Sequence, residues 1–130
     1  LTAGAAYSGM VWRKPRENLI SLSQKITQAA AAASLRAILK DETTNLEVDV
    51  TSRLVTGGHD GDIAVPSPFK ISLLTGAGLI KQDRLGIIEF YSDGSSSGGE
   101  IALGEADGRT SSIRIYWLTG AISVRDGTKP

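Results

Sequence analysis

Between Pro15 and Lys40 apolar residues recur at three- and four-residue steps: Leu19, Leu22, Ile26, Ala29, Ala30, Ala33, Ala37 and Ile38. That spacing draws one stripe down an α-helix. Pro15 suits a first helical turn, Glu17 suits the positive end of the helix dipole, and Lys40 suits the other end. The run Ala29 to Ala33 combines high helix propensity with small side chains, so another backbone can approach it closely. After Asp41 the period falls to two. Leu46, Val48 and Val50 alternate with Glu47 and Asp49, which predicts a half-buried strand.

A polar turn at Thr51-Ser52 leads to a second short strand over Arg53 to Thr56, and Gly57 to Asp62 reads as a loop. Pro66 and Pro68 precede a strand from Phe69 to Thr75, which starts beyond them because proline cannot donate to a ladder. Gly76 and Gly78 mark a break. Further strands are predicted over Gly86 to Tyr91, Glu100 to Leu103, Ser112 to Leu118 and Ala121 to Arg125, the last two joined across Thr119-Gly120. The pattern is one long helix followed by about six or seven antiparallel strands, a single α+β domain without internal repeat or linker.

Composition adds limits to this picture. The chain has 130 residues, 41% apolar and 22% charged, which suits one globular domain and excludes a mostly disordered chain. Fourteen Lys plus Arg balance 14 Asp plus Glu, so net charge gives no strong pull toward nucleic acid or anionic membrane. The absence of cysteine removes disulfides, thiolate metal sites and cysteine nucleophiles together. Leu1 to Val11 carry no charge and read as the tail of something more hydrophobic, although no run reaches the roughly 18 apolar residues a membrane span needs.

Candidate chemistry is thin. The run Asp93-Gly94-Ser95-Ser96-Ser97-Gly98-Gly99 invites comparison with a phosphate-cradling loop, but Glu100 and a strand follow where a lysine and a helix are required. A loop between two strands is the better reading. His59 is the single histidine, no Gly-x-Ser-x-Gly elbow accompanies it, and hydrolase chemistry therefore lacks its base and orienting groups. His59, Asp60 and Asp62 form a weak candidate cation site, short of the oxygen ligands that calcium takes. A mobile polar loop fits them better. Arg109, Arg114, Tyr116, Trp117, Arg125 and Lys129 are the candidate nucleic-acid face, but Asp107 and Asp126 interrupt it. Tyr116 and Trp117 adjoin within the predicted strand, so one of them is expected to face the core.

Taken together, the motifs say more than any one of them. The stretch Ile87-Ile88-Glu89-Phe90-Tyr91-Ser92, then Asp93 to Gly99, then Glu100-Ile101-Ala102-Leu103, resembles the hallmark of the H-type minor pseudopilins (GspH) of the type II secretion system. Trp117-Leu118-Thr119-Gly120 is similar to that family's hairpin, and the long helix followed by Leu46-Glu47-Val48-Asp49 also fits. The resemblance covers Arg16 to Arg125; Ala121 departs from it, standing where related sequences commonly carry arginine.

The resemblance implies a pilin-like fold. It would divide the chain into a remnant of the hydrophobic N-terminal helix (1–14), an amphipathic helix (15–40) and a β-rich head (45–125), and it implies a full-length form with the rest of the hydrophobic half-helix and a prepilin-peptidase signal ahead of Leu1. It implies a structural, non-catalytic subunit without cofactor or metal, methylated as such pilins are. The full-length form would be anchored once in the inner membrane with its head in the periplasm. Its partners would be other minor and major pseudopilins, in a pseudopilus that drives folded proteins across the outer membrane, and nucleic acid is not among them. The helix face Leu19, Leu22, Ile26, Ala29, Ala30 and Ala33 is the candidate packing face in such an assembly. The alternative reading is a type IV minor pilin of the FimT/FimU group, some members of which bind DNA.

Overall fold

Asn18 starts the helix. Its backbone is extended (φ −120°, ψ 167°), and its side-chain oxygen accepts the Ser21 N–H at 2.8 Å, satisfying one of the first-turn donors. Helix α1 runs over Leu19–Lys40 and stops at Asp41, which turns left-handed (φ 51°) and returns its N–H to the Ala37 carbonyl. The computed structural model describes residues 18–57, 61–75, 80–81 and 85–128. Pro15 and Glu17, assigned above to the first turn, lie outside them, as do Gly76 and Gly78.

Nine strands follow among the described residues: β1 (Thr44–Asp49), β2 (Leu54–Thr56), β3 (Ile63–Ala64), β4 (Lys70–Thr75), β5 (Ile80–Lys81), β6 (Leu85–Phe90), β7 (Gly99–Gly104), β8 (Arg109–Ile115) and β9 (Ile122–Thr128). β3 and β5, two residues each, exceed the expected number; segments so short leave no periodic trace in a sequence. Every pairing is antiparallel. The strands form a five-stranded sheet in the order β3-β2-β1-β6-β5 and a four-stranded sheet in the order β4-β7-β8-β9. The chain passes between the sheets three times, from β3 to β4, from β4 to β5 and from β6 to β7, the last through the Asp93–Gly99 loop.

Helix α1 buries its stripe against both sheets. Leu22, Ile26, Ala30, Ala33 and Ala37 share one core with Leu46, Val48, Ile88 and Phe90 of the first sheet and Ile101, Leu103, Ile113 and Ile115 of the second. Each large aliphatic side chain so buried contributes about 1.5–3 kcal/mol. The alanines let a backbone come close, and Thr44 of β1 donates its hydroxyl to the Ala33 carbonyl at 2.6 Å. Leu19, Ala29 and Ser23 complete the buried side.

Two expectations are corrected here. Ile38, counted on the helical stripe, is 47% exposed, because it stands about 100° around the helix from Ala37, off the centre of the buried face. The strand predicted over Ser112 to Leu118 ends at Ile115, and Tyr116, Trp117 and Leu118 form the following loop with all three side chains exposed. Neither Tyr116 nor Trp117 faces the core. The apolar spelling suits a strand, but the Trp117 carbonyl is taken by the Ser96 N–H at 2.8 Å, which draws this segment off the ladder.

Candidate assembly surface

The Asp93–Gly99 loop is held by its own polar groups. Asp93 Oδ1 accepts both the Ser95 N–H (2.9 Å) and the Ser95 hydroxyl (2.5 Å), closing an Asx turn. Those two bonds, side chain first, hold the Asp93 carboxyl below its ordinary range. Ser96 is buried; its hydroxyl donates to the Glu89 carbonyl (2.6 Å) and accepts the Gly98 N–H (3.0 Å). Ser97 binds the same strand residue, donating its N–H to Glu89 O (3.0 Å) and accepting the Glu89 N–H on Oγ (2.9 Å). Gly99 opens β7.

These bonds decide the loop's chemistry. The five successive N–H groups from Gly94 to Gly98 donate to Tyr91 O, Asp93 Oδ1, Trp117 O, Glu89 O and Ser96 Oγ. A phosphate cradle needs such N–H groups directed at the ligand, and here each one is occupied within the protein. The three serine hydroxyls are likewise committed to Asp93 or to the Glu89 backbone, so none is poised as a nucleophile.

The second motif locks onto the first. In the loop Tyr116–Ala121, Tyr116 donates its N–H to Ala121 O and Gly120 donates to Tyr116 O, both at 2.8 Å, while Thr119 Oγ1 accepts the Ala121 N–H at 3.2 Å. Gly120 takes φ 71° and lies so close to the other loop that a Cβ there would stand 2.2 Å from the Gly94 carbonyl oxygen. Gly98 (φ 79°) faces Trp117, whose Cβ would lie 3.1 Å from a Cβ on that glycine. The Asp93–Gly99 and Trp117–Gly120 stretches, separate in sequence, are one interlocked unit. The unit abuts the C-terminal half of α1: positions built on Gly120 and Gly94 fall 3.8 Å from Ser34 Oγ and Ile38 Cδ1 respectively.

Several apolar side chains outside the core are exposed, some of them on this unit. Trp117 (58% exposed) and Leu118 (55%) cap the loop, with the Tyr116 and Trp117 rings tilted at 49° and 6.2 Å apart. Leu35, Ile38 and Leu39 are exposed on the last turns of the helix. The candidate helix face Leu19, Leu22, Ile26, Ala29, Ala30 and Ala33 is buried within this chain's own core, so the backbone that closes on these alanines is this chain's own. Leu35 and Leu39 fall off the periodic stripe, so the sequence pattern carries no signal for them.

The other candidates do not converge. His59 and Asp60 lie outside the described residues, and Asp62 is exposed. Among the described residues no three His, Cys, Asp or Glu side chains gather as metal ligands. Arg109 is held in its own turn by Asp107 (2.7 Å) and Glu105 (2.6 Å). Register places Arg114 and Arg125 together on the outer face of the four-stranded sheet and Arg109 on the opposite face; Lys129 lies outside the described residues.

No family model matches the chain. Over 73 residues it is 40% identical to type II secretion system protein H of Xanthomonas campestris pv. campestris, a stretch covering 55% of this chain and 39% of that protein. Its fold is that of the minor pseudopilin EpsH from the type 2 secretion system of Vibrio cholerae (TM-score 0.65, 13% identity, 84% of this chain and 97% of that one). The Pseudomonas aeruginosa type IV minor pilin FimU is also similar (TM-score 0.56, 15% identity, 82% and 87%). The chain is therefore a relative of type II secretion system protein H, built on the pilin-like α+β fold shared by minor pilins and pseudopilins.

Proposed function

We propose that this chain is the head of an H-type minor pseudopilin, a non-catalytic subunit that assembles with other pseudopilins to drive export of folded proteins. One observation carries the reading: sequence similarity to a type II secretion protein H coincides with the EpsH fold over most of the chain. The loop chemistry supports it, since the N–H groups and hydroxyls that a phosphate site or nucleophile would need are consumed within the loop, on the Tyr91 and Glu89 backbone and on the Trp117 carbonyl. Exposed Trp117 and Leu118 on a rigid base are the kind of anchor that protein interfaces use.

In this proposal the head lies in the periplasm and the full-length protein is anchored once in the inner membrane. No helix among the described residues is long and apolar enough to cross a membrane, so the proposal assigns the anchor to chain preceding the head. Titration of the purified head against the heads of the sibling pseudopilins encoded with it tests the reading. Saturable binding to at least one sibling is expected; no binding to any of them contradicts it.

The type IV minor pilin reading is favoured by the FimU likeness and by Arg114 and Arg125 sharing an exposed face. A gel shift at low salt separates the two. Tight, salt-sensitive DNA binding lost on changing both arginines would select the type IV reading.

A further inference from the structure

Strand β9 is one of the two edges of the four-stranded sheet, paired to β8 along its whole length from Ile122↔Ile115 to Thr128↔Arg109 and to no other strand among the described residues. It contains no proline, and from Ser123 onward every residue is exposed. Because Tyr116 donates its N–H to Ala121 O, Ile115↔Ile122 is a pair without mutual hydrogen bonds. The alternation then turns the N–H and C=O groups of Ile122, Val124, Asp126 and Thr128 toward the open edge. An unpaired ladder of this kind is a template for another strand.

The two faces bordering this edge differ, and the difference says what fits. On the inner face Ile122 and Val124 continue the apolar rows of Ile115 and Ile113, but Val124 is 46% exposed, since the core stops at β8. The flank of α1 on this side carries Ala31, Ser34 and Ile38; Ser34 stands beside Gly120, just before β9 begins. On the outer face Arg125 sits diagonally across from Arg114. Glu100 lies opposite Arg114 on the far side, and no acid among the described residues pairs with Arg125.

We propose that β9 receives an extended segment of a sibling assembly subunit as an added strand. The segment turns apolar side chains inward beside Val124 and an acidic residue outward against Arg125. The proposal rests on the assembly reading above and assigns it a surface. A second copy of this chain fits the edge less well: antiparallel self-pairing centred on Arg125 or on Asp126 sets like charges opposite each other, and centred on Val124 it sets Ser123 rather than an acid opposite Arg125.

Val124→Pro is the test. Its N–H points to the open edge, so proline removes an outward donor and blocks an incoming strand while leaving the β8 ladder intact. Binding of the Val124→Pro head and the unaltered head to the sibling heads is compared, with circular dichroism and melting as fold controls. The expected result is a loss of affinity of at least about tenfold with the melt unchanged. In the unaltered complex, amide exchange should slow at Ile122, Val124, Asp126 and Thr128. Arg125→Glu, which no ladder bond depends on, should also weaken binding. Equal binding by the Val124→Pro head, or unprotected amides at these four positions, overturns the edge and leaves the assembly reading standing. Failure of the unaltered head to bind any sibling overturns both, and a concentration-dependent dimer lost in Val124→Pro replaces the sibling strand with a second copy.

Discussion

Gly120 touches the Gly94 carbonyl because neither residue has a side chain in the way and because a positive φ there strains any L-residue. Gly120→Ala would place a methyl group 2.2 Å from that oxygen, so one of the loops must move. Denaturant unfolding should show a loss of about 1–3 kcal/mol, the range for strain at such a position. Ser96→Ala should cost a similar amount by a different route. It removes the donor to Glu89 O and leaves the buried Gly98 N–H without its acceptor, worth about 1–3 kcal/mol. Asp93 adds a pH dependence. Its carboxyl titrates below the usual range because the Ser95 hydroxyl and N–H favour the charged form. That contribution is fully present above the unfolded carboxylate pKa and is lost as pH falls through the lower folded value. The Ser95 amide resonance should therefore titrate with a midpoint below that of a free aspartate; a midpoint at or above it contradicts the Asx turn.

Elements were legible in the sequence to the extent that they repeat. The stripe from Leu19 to Ala37 announced α1, and the alternation Leu46, Val48 announced β1, because burial on one face imposes those periods. What periodicity cannot carry is a contact between distant loops. The Asp93–Gly99 and Trp117–Gly120 motifs are both visible as spelling, but their interlocking depends on β7 pairing with β8, which sets Gly99 opposite Ile115. For the same reason Tyr116-Trp117-Leu118 read as strand: its side chains suit one, and the bond from Ser96 that withdraws it is long-range. The alanine stripe was visible too, but what closes on it was not, and the structure places the chain's own strands there. A contrast between two alanines measures that packing. Ala33→Leu, in the centre of the helix–sheet contact, should destabilise by about 1–3 kcal/mol through overpacking. Ala31→Leu, exposed on the same helix, should stay within about 0.5 kcal/mol of the unaltered protein in the same unfolding assay.

At the scale of the whole molecule, the chain spends one face of its helix on its own core and leaves apolar side chains such as Trp117 and Leu118 exposed at the interlocked loops. The polar groups that might have suggested an active site serve instead to fix those loops in place. That division, a packed core bearing exposed apolar side chains and a strand edge, suits the assembly role proposed above. The most direct test is secretion itself. A strain lacking this gene should retain its folded exoproteins in the periplasm, and the full-length protein supplied in trans should restore their release. Normal export from the deletion strain, with pilus assembly or DNA uptake lost instead, would contradict the account.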